Sequence, residues 1–195
     1  MVYPLHVSRF RPGEAPEYLA QAWRLRYRVF KEQLGWEVNS ADLLEFDGFD
    51  RKAIHCAVLE GNRVVGYWRA LSTAEPYLLE TSFPDLLPGG MPKSSLVWEI
   101  SRFAVDPGHR RSREIGKILV REIAAFGQDI GATELIAVTD PVFERFVKLC
   151  GLRISRIAGP MVVGTGHDGD VEAVVILCTI DAPTLEAVGL SAHAA

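Results

Sequence analysis

The sequence predicts a mixed α/β layer fold, on three observations. Segments with helical period alternate with segments of strand character along the chain. The stretch VEAVVILCTI at 171–180 is apolar on both faces, as a central strand is. No internal repeat, low-complexity block or long linker interrupts the alternation. The chain has 195 residues, the length of about one domain. Hydrophobic residues make up 48% and charged residues 24%, so a core can form without disulfides or a structural metal.

The first helix is expected from Pro16 to Leu34, where Leu19, Ala22, Trp23, Arg26 and Phe30 share one face and Gly35 is the stop. AIHCAVL at 53–59 and RVVGYWRAL at 63–71 read as two strands joined by a hairpin-like turn. The region 74–95 holds Pro76, Pro84, Pro88, Gly89, Gly90 and Pro92, and reads as a long excursion with a short helical turn. SLVWEISRFAV at 95–105 is a third long strand. A second helix covers 113–127, with Ile115, Ile118, Leu119, Ile123 and Phe126 towards the core. A buried strand at 133–139, a short helix at 141–150, the central strand at 171–180 and a short helix near 183–188 complete the chain.

Lysine and arginine number 21 against 25 aspartate and glutamate, a net charge of −4, which argues against a general nucleic-acid binder. Cys56, Cys150 and Cys178 lie far apart in apolar segments, as buried thiols of a reducing compartment do, and no Cys/His spacing suits zinc. The N-terminus lacks the apolar run of a signal peptide, and no apolar stretch is long enough to span a membrane. A cytoplasmic location is therefore expected.

Several charges fall where packing calls for apolar side chains. Arg26 interrupts the apolar face of the first helix, either as a snorkelling arginine or as a cation held for a carboxylate. Arg69 sits in GYWRAL, and Glu99 and Arg102 sit in VWEISRFAV. Charged groups are rarely buried unpaired, so these three form structural ion pairs, lie exposed on a half-buried strand, or line a polar cleft cut into the sheet. Strand alternation puts Glu99 and Arg102 on opposite faces, so a shared site requires a bulge or splay between them. Asp47 and Asp50 flank a turn, where aspartates commonly serve turn chemistry. Trp36 is either a core aromatic or a stacking face for a cation. Arg113, Lys117 and Arg121 form a basic stripe on the second helix, preceded by His109, Arg110 and Arg111. That stripe is a solvated face or a dock for an anionic partner.

The motifs LRYRVFKEQLGW at 25–36, EFDGFD at 45–50, GYWRAL at 66–71, PYLLETSFPDLL at 76–87 and WEISRFAV at 98–105 resemble, in order and separation, those of the acyl-homoserine-lactone synthases, the LuxI-type autoinducer synthases. Weaker similarity continues through VTDPVFERF at 138–146, so the resemblance covers nearly the whole chain. It implies a GNAT-like, three-layer α/β/α fold with a twisted mixed sheet and a V-shaped cleft between splayed central strands. It implies a single domain over 1–195, with residues 1–36 closing over the S-adenosylmethionine site and 188–195 as a tail.

The implied reaction joins a fatty acyl group, delivered by acyl carrier protein, to S-adenosylmethionine. The products are an N-acyl-homoserine lactone and methylthioadenosine. S-adenosylmethionine is a substrate, and no cofactor, metal, nucleic acid or membrane is expected. The oligomeric state stays open between monomer and weak dimer. By resemblance, Arg26, Phe30, Trp36, Asp47, Asp50 and Arg102 bind S-adenosylmethionine, and Glu99, Arg102, Asp47 and Arg69 form the catalytic group. Phe83, Trp98, Ile100, Phe103, Thr139 and Asp140 are the expected acyl pocket. Arg110, Arg111, Arg113, Lys117 and Arg121 are the expected carrier dock. Members that make 3-oxo products tend to carry threonine or serine in the stretch matching Val138–Asp140. Here Asp140 follows Thr139, and a carboxylate facing an apolar tunnel is costly, which favours an unsubstituted acyl chain.

Two rivals stand beside this reading. A CoA-dependent N-acyltransferase of the same fold would cradle pyrophosphate in a glycine-rich turn, but RRSREIGK has no glycine before Gly116. A non-catalytic sensor of S-adenosylmethionine or an acyl chain would leave the candidate base Glu99 without a purpose.

Overall fold

The computed structural model describes residues 3–192. Its elements are β1 (Leu5–Phe10), α1 (Pro16–Arg26), β2 (Ser40–Ala41), β3 (Leu44–Glu45), β4 (Ile54–Glu60), β5 (Arg63–Ser72), α2 (Leu78–Ser82), β6 (Val97–Val105), α3 (Ser112–Asp129), β7 (Glu134–Thr139), α4 (Pro141–Leu149), β8 (Ser155–Gly166), β9 (Gly169–Thr179) and α5 (Ala182–Ala187). A π-helix (Tyr27–Gln33) follows α1 directly, and 3₁₀ turns cover Gly48–Arg51 and Pro84–Leu86. The strands form a mixed seven-stranded sheet in the order β1-β4-β5-β6-β7-β9-β8, with β2 and β3 as a separate ribbon. The β6–β7 pair is parallel, while β1–β4, β4–β5 and β7–β9 are antiparallel.

Contacts divide the chain into two compact units. The first comprises residues up to Ala70 with Arg102–Leu119 and Gly164–Asp170. The second comprises Leu71–Ser101, Val120–Val163 and the chain from Val171 onward. In the first unit Leu19, Ala22, Leu25, Val29 and Phe30 pack with Phe10, Ala57, Leu59, Val64 and Tyr67. Gln21 pins α1 to the β4–β5 turn, donating to the Asn62 carbonyl at 3.1 Å and accepting from the Val64 N–H at 3.0 Å. Alternation along β5 sends Tyr67 into this cluster and Trp68 to the other face, where its indole N–H meets the Leu119 carbonyl at 3.2 Å. Gly66 lets α3 approach, since a Cβ there would lie 2.5 Å from the Ile115 side chain. The Asp106 N–H bonds the Val65 carbonyl at 2.9 Å, joining the end of β6 to β5.

In the second unit the Thr73 N–H bonds the Val97 carbonyl at 3.1 Å, and Trp98 packs edge-on against Phe126 of α3. Glu144 is buried on α4, held by Lys148 at 2.7 Å and by Arg156. Cys56 and Cys178 are buried and Cys150 is half-buried; burial pushes the Cys178 thiol up to about 12.

Three differences from the sequence reading have physical causes. The helix expected over 16–34 leaves α geometry after Arg26, and the Leu34 N–H reaches back five residues to the Val29 carbonyl at 3.0 Å. Strand β1 was not foreseen, because its six residues are mostly half-buried and show no clean alternation. Strand β8 was not foreseen either, being exposed along most of its length and holding Gly159, Pro160 and Gly164. The tail expected at 188–195 lies partly outside the described residues.

The ribbon β2–β3 turns through Asp42 and Leu43, both at positive φ, 51° and 62°. A two-residue turn of this hand favours glycine at its second position. Leu43 is 61% exposed and has little packing to lose. Leu43→Gly should raise stability by about 0.5–1 kcal/mol, measured by urea unfolding.

Candidate functional site

Six charged side chains of the first unit close into a ring of alternating sign. Arg26 donates from Nε to Glu45 and from Nη1 to Asp50 Oδ1 at 2.7 Å. Arg69 donates from Nη1 to the same Asp50 oxygen at 2.8 Å, and grips Asp47 with two bonds of 2.5 and 2.8 Å. Arg102 completes the circuit, reaching Asp47 Oδ2 and Glu45 Oε1, each at 3.0 Å. Three guanidinium groups thus face three carboxylates, and each group has two neighbours of opposite sign.

Local structure delivers each member. Arg26 is the last residue of α1. Glu45 ends the ribbon. Asp47 caps the 3₁₀ turn by accepting the Phe49 N–H at 2.9 Å, while Asp50 accepts the Asp47 N–H at 3.0 Å. The aspartates therefore do turn chemistry and ion pairing together. Arg69 shares the inward face of β5 with Tyr67. Arg102 has a left-handed backbone, φ 57°, inside β6. Regular alternation would send it to the α3 face with Trp98; the reversed φ turns it to the ring instead.

Arg26, Glu45, Asp50 and Arg69 are fully or almost fully buried, whereas the Asp47 and Arg102 side chains are 16% and 17% exposed. That pair is the edge of the ring that meets solvent. Phe30 lies under Arg102, with the guanidinium carbon 5.9 Å from its ring centre, and Trp36 stacks on Phe30 at 5.5 Å. Burial alone would raise Asp50, but Arg26 and Arg69 hold it down at about 2. Asp47 likewise stays below the ordinary carboxylate value because Arg69 and Arg102 outweigh its burial. Among the described residues the buried Arg26 Nη2 has no hydrogen-bond partner.

The ring gathers Arg26, Asp47, Asp50, Arg69 and Arg102, with Phe30 and Trp36 at its open edge. The Glu99 carboxylate, fully buried, accepts the Leu78 and Leu79 N–H groups at 2.9 and 2.7 Å, at the start of α2. Of the expected acyl-pocket residues, Trp98 packs on Phe126 and bonds the Ser95 carbonyl, and Ile100 is buried. Phe83, Phe103 and Thr139 are half-buried. Asp140 caps α4, accepting the Val142 and Phe143 N–H groups at 2.8 Å each. Its carboxylate is therefore engaged by a helix start, and the inference from its charge to an unsubstituted acyl chain loses its premise. In the basic stripe Arg110, Arg113, Lys117 and Arg121 are exposed, while Arg111 is bound to Glu114 through two bonds of 2.8 and 2.7 Å.

Sequence reasoning missed Glu45, His55 and Tyr67. Glu45 stood in view, two residues before Asp47 in EFDGFD. His55 gave no signal, because a lone histidine in an apolar strand is usually a core residue. Its Nε2 meets the Asp50 carbonyl at 3.0 Å and its Nδ1 meets the Tyr67 hydroxyl at 2.6 Å. One assignment satisfies both contacts: Nε2–H donates to the carbonyl and the Tyr67 hydroxyl donates to Nδ1. Among the described residues no group of three His, Cys, Asp or Glu side chains is placed to hold a metal ion, and no helix is long and apolar enough to cross a membrane.

The autoinducer synthase family model matches residues 14–183. An acyl-homoserine-lactone synthase of Aeromonas salmonicida is 37% identical over 154 residues, covering 75% of this chain and 74% of that one. Among solved structures, the AHL synthase LasI superposes with a TM-score of 0.87 at 30% identity, covering 99% of this chain and 98% of that one. TofI, in a ternary complex with an inhibitor and MTA, superposes at 0.81 and 33%, covering 95% and 97%. The fold is thus the GNAT-like fold of acyltransferases. The chain belongs to the autoinducer synthase family and is an acyl-homoserine-lactone synthase.

The buried His55 supplies a test of the site's electrostatics. Burial, with Arg26 and Arg69 nearby, pushes it down to about 4 from 6.5, against the pull of Asp50. A depressed histidine is neutral when folded and binds protons more readily when unfolded. Its contribution is present above about pH 6.5 and is lost as the pH falls towards about 4, on the order of 3 kcal/mol. Urea unfolding across that window should show the loss in the wild-type chain and a flatter profile in His55→Gln.

Proposed function

We propose that the chain takes a fatty acyl group from acyl carrier protein, joins it to the amine of S-adenosylmethionine, and closes the lactone with release of methylthioadenosine. The observation that carries this reading is the open edge of the charged ring. Asp47 and Arg102 offer one anion and one cation side by side, beside the stacked Phe30 and Trp36. S-adenosylmethionine presents complementary groups: an ammonium, a carboxylate, a sulfonium and an aromatic base. MTA, present in the TofI structure, is the nucleoside left when that ligand loses its aminobutyrate arm.

The protonated amine cannot attack a thioester, so a base must take its proton. We assign that step to Glu99, directly or through one water. The Leu78 and Leu79 N–H groups hold its carboxylate in a fixed orientation. The freed amine attacks the thioester carbonyl, the C–N bond forms, and the carrier leaves as a thiol. The carboxylate of the acylated product then displaces the sulfonium within the same molecule. That ring closure needs chiefly orientation, since the leaving group is already good.

Mass spectrometry of the reaction mixture tests the reading: purified chain, S-adenosylmethionine and acyl carrier protein should give an N-acyl-homoserine lactone and methylthioadenosine in equal amounts. Methylthioadenosine formed only with acyl-CoA would transfer the donor assignment to CoA. Glu99→Gln should lower kcat by about 100-fold or more while leaving circular dichroism unchanged; near-normal turnover would remove Glu99 from the chemistry.

The donor assignment draws on the exposed Arg113 and Lys117, one turn apart on α3, which suit an acidic carrier. Reversing both charges should raise KM for acyl carrier protein by about tenfold, reduce its salt dependence, and spare KM for S-adenosylmethionine.

A further inference from the structure

Residues 27–36 carry both aromatic side chains of the ring's open edge, yet they are anchored by groups outside the ring. The helix here is of π form, and the Trp36 N–H closes it on the Phe30 carbonyl at 2.8 Å. Such turns are rare and short, so side-chain anchors weigh heavily in deciding where the segment sits.

Two anchors hold it. Arg28, two residues before Phe30, donates from Nη2 to Asp106 Oδ1 at 2.7 Å. Asp106 is 1% exposed and is also bound by Arg63 and by the Gly108 N–H at 3.1 Å. Burial would raise this carboxyl, but the Arg28 and Gly108 bonds and the two guanidinium charges hold it low, so the anchor stays ionised at neutral pH. At the other end His167, in the β8–β9 turn, donates its N–H to the Leu34 carbonyl at 3.0 Å and its Nε2–H to the Glu32 carbonyl at 3.1 Å. These are terminal carbonyls that the helix itself leaves open. Gly35, at φ 70°, makes the contact possible: a Cβ there would lie 2.7 Å from the His167 ring and 2.8 Å from its backbone nitrogen.

We infer that Asp106, acting through Arg28, and His167, acting on the carbonyls of Glu32 and Leu34, are positioning residues that set the Phe30–Trp36 wall for S-adenosylmethionine. The inference rests on the assignment of that wall to the S-adenosylmethionine site. Neither anchor enters the chemistry. Their effect falls on binding of one substrate.

Steady-state kinetics of the full chain, with each substrate varied in turn, tests it. Arg28 is 39% exposed at its side chain and His167 is exposed, so Arg28→Gln and His167→Ala leave the core intact. Each should raise KM for S-adenosylmethionine by about fivefold, with kcat and KM for the acyl donor within about twofold, and Arg28→Lys should recover most of the loss. Trp36→Ala is run beside them. If Trp36→Ala leaves KM for S-adenosylmethionine unchanged, the site assignment fails. If Trp36→Ala raises it while Arg28→Gln and His167→Ala leave it unchanged, or raise both KM values alike, or lower kcat instead, the positioning role is overturned.

Discussion

Everything in the first unit depends on keeping three arginines and three carboxylates out of water together. Removing one ion from water costs several kcal/mol even after the protein relaxes. The ring meets that cost by closure, since every charge has two opposite neighbours and most bonds are 2.5–3.0 Å. Loss of any one member would leave two charges of one sign half-paired in the interior. The arrangement therefore tolerates little variation, and it recruits α1, the β2–β3 ribbon, the 3₁₀ turn, β5 and β6 to a common point.

Closure also explains which parts of the ring face solvent. Arg26 and Asp50 lie deep, supported by Tyr67 and His55, whose hydroxyl and imidazole link in a chain to the Asp50 carbonyl. Burial raises the Tyr67 hydroxyl pKa and depresses that of His55, so both stay neutral and add no net charge beside the ring. Asp47 and Arg102 sit at the rim as a pair of charges already oriented. On the proposed assignment of this rim to S-adenosylmethionine, little would have to be reorganised when the ligand binds.

Some of this was legible in the sequence, and the reasons differ by residue. Arg26, Arg69, Glu99 and Arg102 stood out because a charge in an apolar period is an exception that demands a partner. Helices α3 and α4 and strands β4 to β7 followed from periodicity, which reports the burial of a regular face. Strand β8 has no buried face over most of its length, so periodicity had nothing to report. The π turn after Arg26 escaped because a π and an α helix differ by less than one residue per turn, a difference that seven residues cannot display in an apolar pattern.

The sequence by itself determined the class of fold and the family, and singled out five of the six charges that meet in the ring, because these depend on residue type and order. Tertiary structure alone decided how those charges pair. Glu45 joined the ring because a tight ribbon carries it to Arg26, and Arg102 because one reversed φ turns it against the strand's alternation. It gave Glu99 and Asp140 helix starts to cap, and it brought His167 onto a segment far away in the chain. Hydrogen bonds between distant residues carry no period and no spacing, so their partners exist only once the chain has folded.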